Sequence, residues 1–528
     1  MLFTSLEFII FVTVLILVYY LFVPRTERWG LLLIASLAFY FFADPRYLIY
    51  IAFTALTAYV FAILSEDYQV KRKTYLKANK EYFDTESKKS YKARTTRVTR
   101  LMLALSLIIN LGILATTKYT NFVIDTINSI RGGEPLSFVN VIIPMGISFY
   151  TFQTVSYSID ISRGTIKAQR SFWKFLLFVS FFPQLVQGPI SRYDDLSKTL
   201  YMPKPFDLQG VSYGFIRILW GYFKKLVIAD RLVIGLRTLT ESPDEFKGAY
   251  VFVVMMLYAA QLYCDFTGGI DITIGIAKML GVTVKENFDL PYFSKNIKEY
   301  WNRWHITMGT WFTDYIFYPL SVSPNMLKLS KWSRQHLGNA IGKRVTVYIS
   351  CFCVWLATGI WHGAAWHFVV WGLMNFVVIM ASQELEPLYA KFHNKFGFKG
   401  QKWYGAFEIL RTFLLMSSLK LFDCYRDVGL TFKMFGSMFY TFNIGSLFNG
   451  SLLELGLTGG DYTIAFIAVV IVFLVSLYKK LKGRDLREWL FDRYHLFILC
   501  CAALIIATVV FGAYGKGFDA SQFIYNQF

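Results

Sequence analysis

Charge is scarce in this chain. Asp, Glu, Lys and Arg make up 17% of its 528 residues, against 55% hydrophobic and 19% aromatic. So little polar surface excludes an ordinary soluble enzyme of this length. Acid is scarcer than base, 35 Asp and Glu against 54 Lys and Arg, for a formal net charge of +19. The basic islands do not interleave aromatics in the pattern a base-stacking surface needs, so nucleic acid is not an expected partner. The six cysteines form no disulfide framework, because Cys264, Cys351, Cys353, Cys500 and Cys501 lie in or beside apolar runs; they read as inert buried thiols. Metal ligation is equally poorly supplied. Cys351 and Cys353 are two apart and His362 and His367 five apart, spacings that put no pair on one helix face. No basic residue precedes the first apolar run, and Arg25 and Arg28 follow it. That is the reverse of a cleavable secretory signal and predicts a retained first span with the N-terminus outside.

What is present is apolar sequence from end to end, including 6–23, 101–116, 251–262, 345–360, 462–477 and 496–510. These runs predict an all-α, polytopic integral membrane protein with about a dozen crossings and one or two re-entrant segments, from the usual span of roughly 20 residues. Base concentrates in three islands. Residues 65–100 hold eleven Lys and Arg against five acids, 321–346 carry Lys328, Lys331, Arg334, Lys343 and Arg344 with no acid, and 479–493 form the third. All three are expected to be cytoplasmic loops. Residues 345–380 are then long enough for two crossings, with His362 deep or toward the outer leaflet, and the last span leaves residues 515–528 outside.

Several polar residues stand where burial is costly. In "IWHGAAWHF" (360–368) a neutral imidazole at His362 is a competent general base, and Gly363, Ala364 and Ala365 leave room for a substrate. The competing reading is a structural histidine beside small residues that let helices approach closely. His367 is a weaker candidate for the same role. "EYWNRWHITMGTWFTDYIFYPL" (299–320) is no clean span and reads as a re-entrant segment in which His305 binds substrate or anchors an aromatic belt. "QLYCDFTGGIDI" sets Asp265 and Asp271 about a Gly268-Gly269 break, with Arg303 or Lys278 as expected partners. "FFPQLVQGPISRY" (181–193) reads as a broken helix.

Taken in order with "IPMGISFYTFQTVSYSIDISRG" (143–164), "YAAQLYCDFTGGIDITIGIAKMLG" (258–281), "ENFDLPY" (286–292) and "GIWHGAAWHFVVWG" (359–372), these stretches resemble the membrane-bound O-acyltransferase (MBOAT) superfamily, and within it the bacterial alginate O-acetylase-like branch. The resemblance covers roughly residues 144–372. It implies a single MBOAT domain over 1–528, a helical ring with a thin central region and a transmembrane tunnel. Its parts would be N-terminal spans (1–136), a family core (137–382), C-terminal spans (383–514) and an extracellular tail (515–528). It implies His362 as the catalytic residue and His305 as a second polar residue at the core, with Trp304, Asn302, Arg303, Trp361, Asp314 and Gln187 around the substrate. The tail "FIYNQF" (523–528) resembles a Phe-x-Tyr-x-x-Phe motif whose tyrosine is proposed as an acyl relay, here Tyr525. Two departures fall where substrate contacts are expected: Thr313 stands where the family often has Arg, and "SVSPN" replaces a common Gly-Gly.

The implied function is transfer of an acyl group, acetyl being expected, from a cytosolic thioester to a hydroxyl of an extracellular cell-envelope or exopolysaccharide acceptor. No bound cofactor is expected, with acetyl-CoA or another acyl thioester as co-substrate. The implied setting is the bacterial cytoplasmic membrane, with both termini outside, membrane lipids around the protein, and an extracellular SGNH-hydrolase-like acyltransferase partner. Two alternatives stay open. One is D-alanyl transfer from a carrier-protein thioester. The other is a lipid-linked glycan transporter using Asp265, Asp271 and His362 as a polar pathway, although no internal repeat of the transporter kind is visible.

Overall fold

The computed structural model describes residues 3–514 except 133 and 203. Among the described residues the chain is all helical, and extended pairing is confined to one antiparallel bridge between Phe288 and Trp304. Among the described residues seven helices are long and apolar enough to cross a membrane: Tyr47–Ala78, Thr85–Lys118, Ala249–Met279, Pro324–His362, Trp366–Glu384, Gly459–Lys482 and Tyr494–Phe511. Two shorter apolar helices are Leu6–Leu21 and Arg28–Ala43. The dozen expected crossings are not all continuous helices. Pro, Gly and π-helical turns break the remaining apolar sequence into pieces of 4–17 residues such as Phe172–Ser180, Phe182–Gln187 and Ile306–Phe312.

Two of the expected basic loops are helical. The island at 65–100 is the polar end of a hairpin between Tyr47–Ala78 and Thr85–Lys118. Asp84 caps the second helix by accepting from the Ser87 N–H, and Arg72 bonds Thr96 across the hairpin. Lys and Arg have good helix propensity, so charge alone does not end a helix. The island at 321–346 starts a helix at Pro324, capped by Ser323, and bends sharply at Gly338, whose φ of 76° only glycine adopts readily.

The chain divides into two compact units. The first comprises residues 1–211 and 276–284. Its core is aromatic, with Phe8, Phe39 and Phe182 fully buried and their rings in mutual contact. Tyr19 and Tyr20 donate to the carbonyls of Leu280 and Met279, which ties the 276–284 segment to the first helix. The broken helix expected over 181–193 is present: Phe181 separates Phe172–Ser180 and Phe182–Gln187, and Gly188 ends the second, whose last residue Gln187 is fully buried.

The second unit comprises residues 212–275 and 285–528. Here the Gly268-Gly269 pair does not break the chain, because Ala249–Met279 is one helix. Its glycines instead permit close approach: a Cβ on Gly268 would lie 2.9 Å from the Gly221 carbonyl oxygen, and one on Gly221 would lie 2.6 Å from that of Gly268. Next to Gly221 the backbone widens into a π-helix, Phe223–Ala229, in which Lys224 and Lys225 are both buried.

Candidate functional site

Residues 286–306 form the floor of the site. The segment after Glu286 runs antiparallel to the one that ends the Ile297–Arg303 helix, and their backbones are joined by bonds from Asp289 N–H to the Arg303 carbonyl and from Ile306 N–H to the Asn287 carbonyl, both 3.0 Å. This pairing delivers His305 in a left-handed conformation, φ 49° and ψ 52°, which is uncommon for a residue with a Cβ. His305 is fully buried, its Nδ1 lies 3.3 Å from Asn287 Oδ1, and its ring meets Phe266 edge-on at 5.0 Å. Asn287 Oδ1 also accepts from the N–H and the hydroxyl of Thr307, at 3.0 and 2.9 Å.

The other wall is the hairpin of Pro324–His362 and Trp366–Glu384. Gly359 and Gly372 bring these helices together, since a Cβ on Gly372 would stand 2.5 Å from the Trp355 carbonyl oxygen and 3.0 Å from the Gly359 Cα. His362 is the last residue of its helix. Its ring lies 4.6 Å from Trp371 and 5.0 Å from Trp361, both edge-on, and 6.4 Å from Phe368. Trp361 also lies 5.8 Å from His305, so one buried indole contacts both histidines. The small residues after His362 serve packing as well as access: a Cβ on Gly363 would meet the Phe368 ring at 2.2 Å.

A cavity of about 40 Å³ opens on His362 and is lined also by Trp301, Trp304, Trp371, Lys420 and Asp423. That is room for a few waters or a two-carbon acyl group. Of the expected residues, His362 and Trp304 line it, and His305 and Trp361 pack behind. Asn302 is exposed and is not part of the lining. Arg303 pairs with Glu299 at 2.8 Å, and Asp314 sits in the π-helical turn Thr313–Phe317, both also away from it. Gln187 belongs to the first unit. His367 is buried against Phe368 and does not line the cavity. Tyr525 lies outside the described residues. Lys420 and Asp423 were missed, although a lone lysine in the apolar stretch "FLLMSSLKLF" is the signal that an intramembrane charge gives.

The expected partners of the two buried carboxylates are corrected. Asp271 binds Arg217 Nε at 2.8 Å and Lys224 Nζ at 2.7 Å, and Asp265 binds Lys225 Nζ at 2.5 Å. Lys278 and Arg303 take no part in these pairs. The π-helix supplies the reason, because it buries two consecutive lysines, a placement that sequence periodicity does not anticipate. Arg217 also grips Glu286 with two bonds of 2.5 and 2.6 Å, which anchors the start of the floor segment. This network borders a second cavity of about 630 Å³ that reaches the turn after Lys482. In that turn burial works to raise the Asp485 carboxyl, and the Arg487 guanidinium bonded to it holds it below the usual carboxylate range.

Comparison with known proteins relates these elements to a family. The model of the "MBOAT, membrane-bound O-acyltransferase family" matches residues 162–419, which hold both histidines and the whole floor. The chain is 37% identical over 286 residues to the "Probable alginate O-acetylase" of Pseudomonas syringae pv. tomato, covering 52% of this chain and 50% of the relative. It is 30% identical over 325 residues to the "Peptidoglycan O-acetyltransferase" of Helicobacter pylori, covering 56% and 57%. It is 28% identical over 281 residues to the "Teichoic acid D-alanyltransferase" of Bacillus subtilis, covering 52% and 67%. The chain thus spans about half the length of the acetyl-transferring relatives it matches. With its apolar helices and the matched core, this all-helical, multi-pass membrane protein is similar over residues 162–419 to the membrane-bound O-acyltransferase family, and similar over about half its length to the alginate O-acetylases.

Proposed function

We propose that this protein is a bacterial membrane O-acyltransferase that moves an acetyl group from a cytosolic thioester, acetyl-CoA, to a hydroxyl of an extracellular polysaccharide. The observation that carries the reading is the placement of His362 at a helix end, facing a small cavity whose volume suits a two-carbon acyl group. In this reading His362 takes the proton of the attacking hydroxyl, and the thioester carbonyl occupies the cavity beside Trp304. His305 acts through Trp361, holding the indole against which the His362 ring is set. The names of the relatives support an envelope glycan as acceptor and acetyl as the group. Tyr525 would receive the acetyl group as an ester and hand it to an SGNH-hydrolase-like partner outside.

The test is incubation of purified full-length protein with acetyl-labelled acetyl-CoA, with thiol release and peptide mass spectrometry as readouts. Wild type should release CoA, and His362→Ala should not while eluting as a folded protein. Label on the Tyr525 peptide supports the relay. CoA release without that label removes the relay and leaves direct transfer. No release from acetyl-CoA, but release from a D-alanyl carrier protein, replaces the donor. No release from either removes the acyltransferase reading.

A further inference from the structure

Lys420 is 5% exposed and stands at the joint between the helices Lys402–Leu419 and Leu421–Tyr425. Its ammonium donates to the Tyr292 hydroxyl at 2.8 Å, and that hydroxyl donates onward to the Ala259 carbonyl at 2.7 Å. The same nitrogen lies 4.2 Å from the centre of the Trp304 ring, 4.8 Å from Tyr292 and 5.9 Å from Tyr300. Aromatic faces attract a cation without consuming its N–H donors. An ammonium has three donors and one is used, so hydrogen-bonding capacity remains on a side chain that lines the His362 cavity. A buried charge in a membrane protein marks function unless it is fully paired. Here the cation is held in place and left able to donate.

We propose that Lys420 is a catalytic residue of the acyl transfer, donating a hydrogen bond to the thioester carbonyl oxygen as that oxygen becomes an anion. The proposal rests on the acyltransferase reading above. The acceptor oxygen attacks the thioester carbon while its proton passes to His362. The carbonyl π pair moves onto oxygen, where the Lys420 ammonium meets the new charge. The carbonyl then re-forms, the carbon–sulfur bond breaks, and the thiolate takes the proton from the His362 imidazolium. An ester and a thiol are the products, and Lys420 stays protonated throughout. A pre-placed donor in a water-poor cavity acts on the charge that exists only in the transition state. Trp304 and Tyr292 do the positioning, since their rings hold the ammonium before substrate arrives.

The experiment measures thiol release from acetyl-CoA by the full chain in lipid nanodiscs. Wild type, Lys420→Met, Lys420→Arg and Lys420→Cys are compared, the last before and after reaction with 2-bromoethylamine, which rebuilds a lysine-like ammonium. Lys420→Met should lose about 10²–10³ in kcat with little change in KM, the size expected for one oxyanion donor. Lys420→Arg should keep part of the activity, and aminoethylation of Lys420→Cys should restore it. A methionine variant with wild-type kcat overturns the proposal. Equal rescue of Lys420→Cys by bromoethylamine and by a neutral ethylating reagent also overturns it, because packing and not charge would then be restored. Should Lys420→Met fail to fold, the cysteine variant and its two reagents decide the matter. Absence of thiol release from wild type is a separate outcome that removes the acyltransferase reading and this proposal with it.

Discussion

Asn287 Oδ1 lies 3.3 Å from His305 Nδ1 while accepting two hydrogen bonds from Thr307. One buried amide therefore fixes both the imidazole and the first turn of the helix that follows it. Asn287→Ala leaves the Thr307 donors without their acceptor, and unsatisfied buried groups cost about 1–3 kcal/mol each. Thermal unfolding should show a loss of that order, and thiol release should fall further because His305 loses its contact with Asn287 Oδ1. Asn287→Asp keeps the acceptor oxygen and should retain more of both. Equal activity for the alanine and aspartate variants would remove Asn287 as a positioning residue.

His305 sits at φ 49°, where a residue with a Cβ carries about 1–2 kcal/mol of backbone cost. Glycine relieves that cost and alanine does not. His305→Gly should therefore be more stable than His305→Ala by about 1 kcal/mol, less the greater unfolded-chain entropy of glycine. Both should lose acyl transfer alike. If activity instead tracked stability across the two variants, His305 would matter for its backbone and not for its ring.

The site was legible where chemistry is carried by rare residues in apolar sequence. His362 and Trp304 are both in the cavity lining, and the helix broken within 181–193 ends at Gly188, before Pro189. Less legible was the partnering of charges. Asp265 and Asp271 are met by lysines 40 and 47 positions away, delivered together by a π-helix that an i, i+4 reading cannot anticipate. Asn302 and Arg303 neighbour Trp304 in sequence, but they lie on the last turn of the Ile297–Arg303 helix while Trp304 is extended and bridged to Phe288, so only one of the three lines the cavity. The Gly268-Gly269 pair misled for a related reason. Glycine marks close backbone approach as readily as it marks a break, and Gly221 is the other half of that approach.

Asp271 joins Arg217 and Lys224, and Arg217 in turn holds Glu286 at the entry to the floor segment. Asp271→Ala takes the carboxylate from the buried Lys224 ammonium, while Arg217 keeps Glu286, and removing one partner of a buried pair costs about 3–5 kcal/mol. Unfolding in detergent should show a loss of that size. Lys224→Met together with Asp271→Ala should recover part of it, since the double variant removes the ammonium that Asp271→Ala leaves without a carboxylate. No coupling between the two sites would mean that their contact is not formed in the folded protein.

Gly363 has φ −172° and ψ 156°, extended backbone that any residue adopts, so alanine there meets no conformational penalty. The obstacle is the Phe368 ring, 2.2 Å from where the Cβ would stand. That ring has little room to retreat: it is 6% exposed, and the backbone behind it is pinned by Gly359, whose own Cβ would lie 2.6 Å from the Phe368 carbonyl oxygen. Overpacking of this kind typically costs about 1–3 kcal/mol. It also falls beside His362, whose ring stacks with Phe368 at 6.4 Å, so the displaced phenyl shifts the imidazole against Trp371. Gly363→Ala should thus lower kcat by more than its stability loss implies, with folded protein still recovered. Phe368→Leu removes the obstructing ring edge. Residues in direct contact show interaction energies of about 0.5–3 kcal/mol, so the double variant Gly363→Ala, Phe368→Leu should be more stable than the sum of the two single losses. Strict additivity would show that the alanine methyl never reaches the ring, and the role of Gly363 would then lie in substrate access alone.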